Sequence, residues 1–180
     1  MRTFLIGIGQ SSVSDNFGSG FILSEFNMEE KEGKYRVLSI WKGKTLKTDE
    51  ICSALARASR NFGSQHRHVL IFTTSETLSE DIRQHLQEVS NSISDEASYK
   101  QFIPAKIDIA EDFQLASQLI ADNEILIISE FAQPLKKMLK EVSSVKLLDS
   151  LIEAFFCSIC YHRREIVPRG NGGTSPVTWG

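Results

Sequence analysis

Residues 2–41 read RTFLIGIGQSSVSDNFGSGFILSEFNMEEKEGKYRVLSIW, and this stretch decides the fold. Residues 3–8 are a mostly apolar run closed by glycine, which reads as a buried strand. Residues 9–16 (GQSSVSDN) read as a turn, because Ser, Asp and Asn side chains compete for local backbone hydrogen bonds. A second strand follows at 18–26, then the charged segment NMEEKEGK at 27–34, then a third strand at 35–41. Three strands joined by short polar connections make an antiparallel meander.

Beyond residue 47 the period changes. Ile51, Ala54, Leu55 and Ala58 stand at i, i+3, i+4 and i+7, one face of a helix. Thr48 suits its N-cap, Asp49 and Glu50 suit the positive end of its dipole, and Gly63 suits its end. A short buried strand is expected at 68–73. A second helix follows, opened by the capping box Thr77 and Glu80 and lined by Leu78, Ile82, Leu86 and Val89. After a polar loop at 90–100, a strand is expected at 102–107, with Pro104 marking an edge or a strand end. A helix at 110–121 presents Phe113, Leu115, Ala116 and Leu119. Residues 124–129 (EILIIS) fit a buried strand or a helix start; periodicity does not separate the two. Pro134 opens a helix to about 142, and 145–161 form another, apolar over most of its circumference. The tail at 168–180 (PRGNGGTSPVTWG) is too rich in Gly, Pro, Ser and Thr to pack by itself.

Composition bounds the function. At 180 residues the chain fits one domain able to bury a core without staples. A net charge of −3, from 20 basic and 23 acidic residues, is not the footprint of a protein built to grip phosphate backbones. No apolar run approaches the roughly 20 residues that span a bilayer, and the glycine-broken N-terminus reads as strand rather than signal peptide. Three cysteines, Cys52, Cys157 and Cys160, point to a reducing compartment, hence an intracellular protein, cytoplasmic or nuclear.

The order of elements, three antiparallel strands followed by helix, strand, helix, strand and helix, resembles the RNase H fold. Local motifs agree with it in order and spacing. FGSGFIL at 17–23 resembles the glycine-bearing second strand, and DEICSALARA at 49–58 the first helix with its leading acid. HVLIFTTSETLSEDI at 68–82 resembles the fourth strand and its turn, and AEDFQLASQLIA at 110–121 the closing helix. The resemblance implies a mixed α/β sheet, an RNase H-like core at 1–121, a C-terminal helical extension at 122–165 packed on that core or at an interface, and a tail at 166–180.

It also implies a carboxylate cluster holding two divalent metals about 3.5–4 Å apart, and there this sequence departs. The first-strand acid position falls near Gly7 or Gly9, and the Asp-Ser pair of the fourth strand reads Thr74-Ser75. Glu50 stands at the first-helix position, as a surviving metal ligand or an ordinary helix-start acid. The closing-helix position falls on Phe113, or on Asp112 after a one-residue slip. One or two carboxylates do not neutralise two Mg²⁺ ions, so the resemblance implies a degenerate nuclease without cofactor. The vestigial candidates are Glu50, Thr74 and Asp112. The alternative is a nuclease using Mg on Glu50 and Asp112.

Other clusters yield blander readings. Asp108, Glu111 and Asp112 form an acidic group that also suits a solvated helix start. Cys157 and Cys160 form C-x-x-C near His162, but with no second pair they read as buried thiols. His66 and His68 lack a metal-ligand neighbour. No Walker loop, dinucleotide fingerprint, G-x-S-x-G or H-E-x-x-H occurs, and the glycines of GIGQ suit a crowded first strand. Leu151, Phe155 and Phe156 are the candidate interaction stripe, for a protein partner or self-association. Arg163, Arg164 and Arg169 are the candidate contacts for RNA or an RNA–DNA hybrid.

Overall fold

The computed structural model describes residues 2–10, 19–44, 48–61, 68–74, 99–127 and 150–167. Strands β1 (Arg2–Gln10), β2 (Ser19–Asn27) and β3 (Tyr35–Gly43) form the expected meander. Helix α1 (Thr48–Asn61) leads to β4 (His68–Thr73). After them come β5 (Tyr99–Pro104), α2 (Ile109–Ala121) and β6 (Ile125–Ile127). The terminal helix starts as α3 (Ser150–Phe155) and continues in wider, π-helical turns through Phe156–Cys160 and His162–Ile166.

The six strands form one mixed sheet in the order β5-β4-β1-β2-β3-β6. β1 is antiparallel to β2 and parallel to β4, and the pairs β4–β5 and β3–β6 are also parallel. A bulge at Leu23/Ser24 leaves Leu38 of β3 without an opposite number.

Both faces are covered, so the centres of β1 and β4, Phe4–Ile8 and Val69–Phe72, are runs without polar side chains instead of alternating with polar residues. Phe4, Ile6 and Ile8 meet Phe21, Leu23, Val69 and Ile71 under Ile51, Ala54 and Leu55 of α1. Leu5, Ile22, Tyr35, Val37, Leu70 and Phe72 lie on the other side, beneath α2 and the terminal helix. That helix packs mainly across β1 and β2, and α2 packs against its Phe156–Cys160 turn.

Three expectations shift at their edges. The strand expected at 102–107 starts at Tyr99 and stops at Pro104, which lacks the N–H to continue the ladder; Ala105 supplies the next bond, donating to Thr73 O at 2.7 Å. The helix expected from 110 begins at Ile109, because the Asp108 side chain caps it by accepting from Glu111 N at 3.0 Å. The ambiguous segment at 124–129 contains a strand, Ile125–Ile127, beside β3.

The stripe of Leu151, Phe155 and Phe156 requires a larger correction. They are 5%, 0% and 0% exposed, so no docking face is available at these positions. The helix lies over the middle of the sheet and is itself backed by α2, which buries it from two sides. The helices expected at 77–89 and 134–142, Gly63, Ser75 and the tail with Arg169 lie outside the described residues.

Candidate functional site

In an open α/β sheet, ligands collect where neighbouring parallel strands send their connections to opposite sides. β1 and β4 are such a pair. They run parallel with Ile8 opposite Thr73, yet β1 continues to β2 on one side and β4 is flanked by β5 on the other. Their carboxyl ends are therefore the seat to inspect.

On β1 the seat is made of glycine. Gly7 and Gly9 point to the terminal-helix face, and a β-carbon on either would overlap helix backbone: the Ala154 carbonyl at Gly7, the Ser150 carbonyl at Gly9. The reading of a crowded first strand holds. Between the two strands sits Cys157, whose thiol donates to Ile8 O at 3.6 Å and Phe72 O at 3.7 Å. Burial, reinforced by the Glu153 charge, pushes this thiol well above the usual range. It is a packing group rather than a nucleophile.

On β4 the seat is open. Thr74 is exposed, and its hydroxyl donates to Glu153 Oε1 at 2.6 Å. The two line a cleft of about 430 Å³ with Pro104, Ala105, Lys106 and Ile107. Glu153 was not singled out from the sequence. Its signal was there: a lone acid inside the apolar run LIEAFF.

The other acids are elsewhere. Glu50 is half-buried at the start of α1, whose core residues pack on the face opposite α2. Asp112 is fully buried on α2 and already engaged. Its Oδ1 accepts from Arg164 Nε at 3.1 Å and its Oδ2 from Asp108 N at 3.0 Å. Burial pushes the Asp112 carboxyl upward, opposed by the Asp108 N–H and Arg164. A shared metal on Glu50 and Asp112 is thus corrected by geometry: the sheet separates them, and Arg164 holds one. Among the described residues no three His, Cys, Asp or Glu side chains group to hold a metal. Among the described residues of the seat, glycines, a thiol, one hydroxyl and one carboxylate do not fit a pair of hard divalent ions that require several oxygen ligands.

The basic residues sit at the far end of the terminal helix. Arg164 also donates to Lys106 O at 2.8 Å and Glu165 Oε1 at 2.6 Å, so it is spent inside the fold. Arg163 reaches Glu124 at 3.6 Å, and Lys34 approaches the same carboxylate at 3.8 Å. Their neighbour His162 packs on Phe26 and Tyr35, the end of β2 and the start of β3. Arg163 stands ten residues beyond Glu153 on the helix, on the order of 15 Å, whereas Arg164 ends on the carbonyl of Lys106, which lines the cleft. Among the described residues no helix is long and apolar enough to cross a membrane.

The class defined by this geometry is an RNase H-like α/β fold. No family model matches the sequence, and no curated protein matches it. Among solved structures, the human cytomegalovirus terminase nuclease domain superposes with a TM-score of 0.53 at 9% identity, covering 91% of this chain and 87% of that one. Its manganese-soaked, inhibitor-bound form gives 0.50 at 9% identity over 90% and 84%. RNase H1 from the halophilic archaeon Halobacterium salinarum matches 57% of this chain and 83% of its own at 11% identity, with a TM-score of 0.32. At such identities the likeness is one of fold.

Proposed function

We propose that this chain is a catalytically inactive RNase H-like domain, serving as a protein-interaction or scaffold module within a nucleic-acid-processing or reverse-transcriptase-derived assembly. The observation that carries the reading is the β1 strand itself: Gly7 and Gly9 stand where the fold's first acid would be, with helix backbone packed onto them. Thr74 at the end of β4 adds a hydroxyl where the resemblance expects a second carboxylate. Two-metal hydrolysis places negative ligands on both strands to clamp the attacking and leaving oxygens, and among the described residues at this seat the carboxylate is that of Glu153. The acidic balance, and the engagement of Arg163 and Arg164 with acids of the same chain, favour a protein partner over a phosphate backbone.

The test is cleavage and binding of a labelled RNA–DNA hybrid, single-stranded RNA and duplex DNA, with Mg²⁺, Mn²⁺ or EDTA. The expected result is no cutting under any condition. Metal-dependent cutting that disappears in Glu153→Gln or Glu50→Ala would overturn the reading. Binding of the hybrid or RNA without cutting would keep the inactive domain and make nucleic acid its partner.

A further inference from the structure

We infer that the terminal helix has closed the β1 half of the metal seat with its own backbone, so that regaining the missing acid cannot restore a two-metal site. The inference rests on the inactive reading above, but it concerns packing rather than cutting.

Gly7 and Gly9 are two residues apart and share a face of β1. Over them run Ser150, Ala154 and Ser158, four residues apart on the helix and all fully buried. A β-carbon at Gly7 would overlap the Ala154 carbonyl and the Ser158 hydroxyl. At Gly9 it would overlap the Ser150 carbonyl and approach Ala154 N to 2.9 Å. Side chains can rotate away from an intruder; a helix carbonyl cannot, so the helix itself must lift. Lifting would break the seating of Cys157 against the Ile8 and Phe72 carbonyls. An aspartate at either glycine therefore faces a steric barrier before any question of metal affinity arises. The β4 half carries no such lock, since Thr74 is exposed beside Glu153 in the open cleft.

The experiment compares Gly7→Ala, Gly9→Ala and Gly20→Ala in the full chain by thermal melting, and adds Thr74→Asp and Gly9→Asp with and without millimolar Mn²⁺. At an unstrained site Gly→Ala tends to stabilise, by narrowing the unfolded ensemble. Gly7→Ala and Gly9→Ala are instead expected to lower the melting temperature by about 5 °C or more. Gly20→Ala is the control and loses less, because its added carbon meets the Leu151 side chain and Trp41 O at 3.0 Å, a crowding that shifts of a few tenths of an ångström relieve, against about 2 Å at Gly7 and Gly9. Mn²⁺ is expected to raise the melting temperature of Thr74→Asp by pairing the new carboxylate with Glu153, and to leave Gly9→Asp unchanged. Unaltered melting in Gly9→Ala, equal losses at Gly9 and Gly20, or a Mn²⁺-dependent rise in Gly9→Asp would sink the inference. Cutting by the wild-type chain alongside a destabilised Gly9→Ala would sink the inactive reading and leave the closure standing.

Discussion

The two ends of the terminal helix are buried by opposite means. Near Ser150 the contact is small against small: Gly7 and Gly9 of the sheet admit the helix so closely that backbone meets backbone. Near His162 it is large against large. The imidazole lies 4.7 Å from the Phe26 ring, 5.6 Å from Tyr35 and 6.4 Å from Phe72, and Nδ1 shares a 2.8 Å hydrogen bond with the Tyr35 hydroxyl. The first end is fixed by shape. The second holds buried polar groups, each tied to a partner, and responds to pH and to loss of a single charge. In this chain the end over the carboxyl ends of β1 and β4 is the one held by shape.

Removing both ends is the harshest way to break the comparison. A chain stopped after Ala121 keeps β1 to β5 but lays bare Leu5, Ile22, Leu70 and Phe72, all now fully buried. It is expected to lack a cooperative melting transition and to bind a hydrophobic dye; a sharp transition from a soluble monomer would show that the sheet does not need the helix.

A milder cut separates the ends. Asp112→Ala leaves Arg164, whose side chain is 10% exposed, facing a fully buried vacancy. Arg164 keeps Glu165 and the Lys106 carbonyl, so the loss is expected to fall below the about 3–5 kcal/mol of a buried charge left alone. Amide exchange should accelerate most at 161–166 and least at 150–158. Uniform loss along the helix would mean that the two ends are not independent.

The gentlest probe is pH. Burial, aided by nearby Arg163, pulls His162 down from 6.5 to about 3. The unfolded chain thus takes up a proton that the folded chain refuses. From this group stability is complete above about 6.5 and falls by about 1.4 kcal/mol per pH unit toward 3. Asp112 acts in the opposite sense, because its raised carboxyl binds a proton more readily in the folded state. On the alkaline side, burial raises Tyr35 well above 10, so its contribution is lost as pH climbs past 10. His162→Gln should flatten the acid slope measured by urea unfolding at pH 7 and pH 5, and a slope that survives would assign it to other groups.

Much of this was legible along the chain. The meander at 2–43 and the face of α1 follow from local runs, because strands and helices announce themselves through neighbours a few residues apart, and the glycines of β1 already pointed to a crowded strand. The pairings that settle the site do not. Thr74 meets Glu153 across 79 positions, and Arg164 meets Asp112 across 52. Periodicity shows that α1 and α2 each have an apolar face; it does not say which side of the sheet receives it, and that choice parts Glu50 from Asp112. The apolar girth of the terminal helix was visible too, but exposure is a property of what lies over it, and α2 lies over it.

The pairing of Cys157 with the Ile8 carbonyl joins positions 149 residues apart. At about 5–20 residues per second of synthesis, the first strand leaves the ribosome roughly 7–30 s before its cover exists. Until then the groove of Gly7 and Gly9 and the apolar residues beside it face water or a chaperone. Contacts of such long range also slow the final closure. The birth of this domain is therefore a waiting game, in which its oldest segment stays vulnerable to aggregation until its youngest arrives.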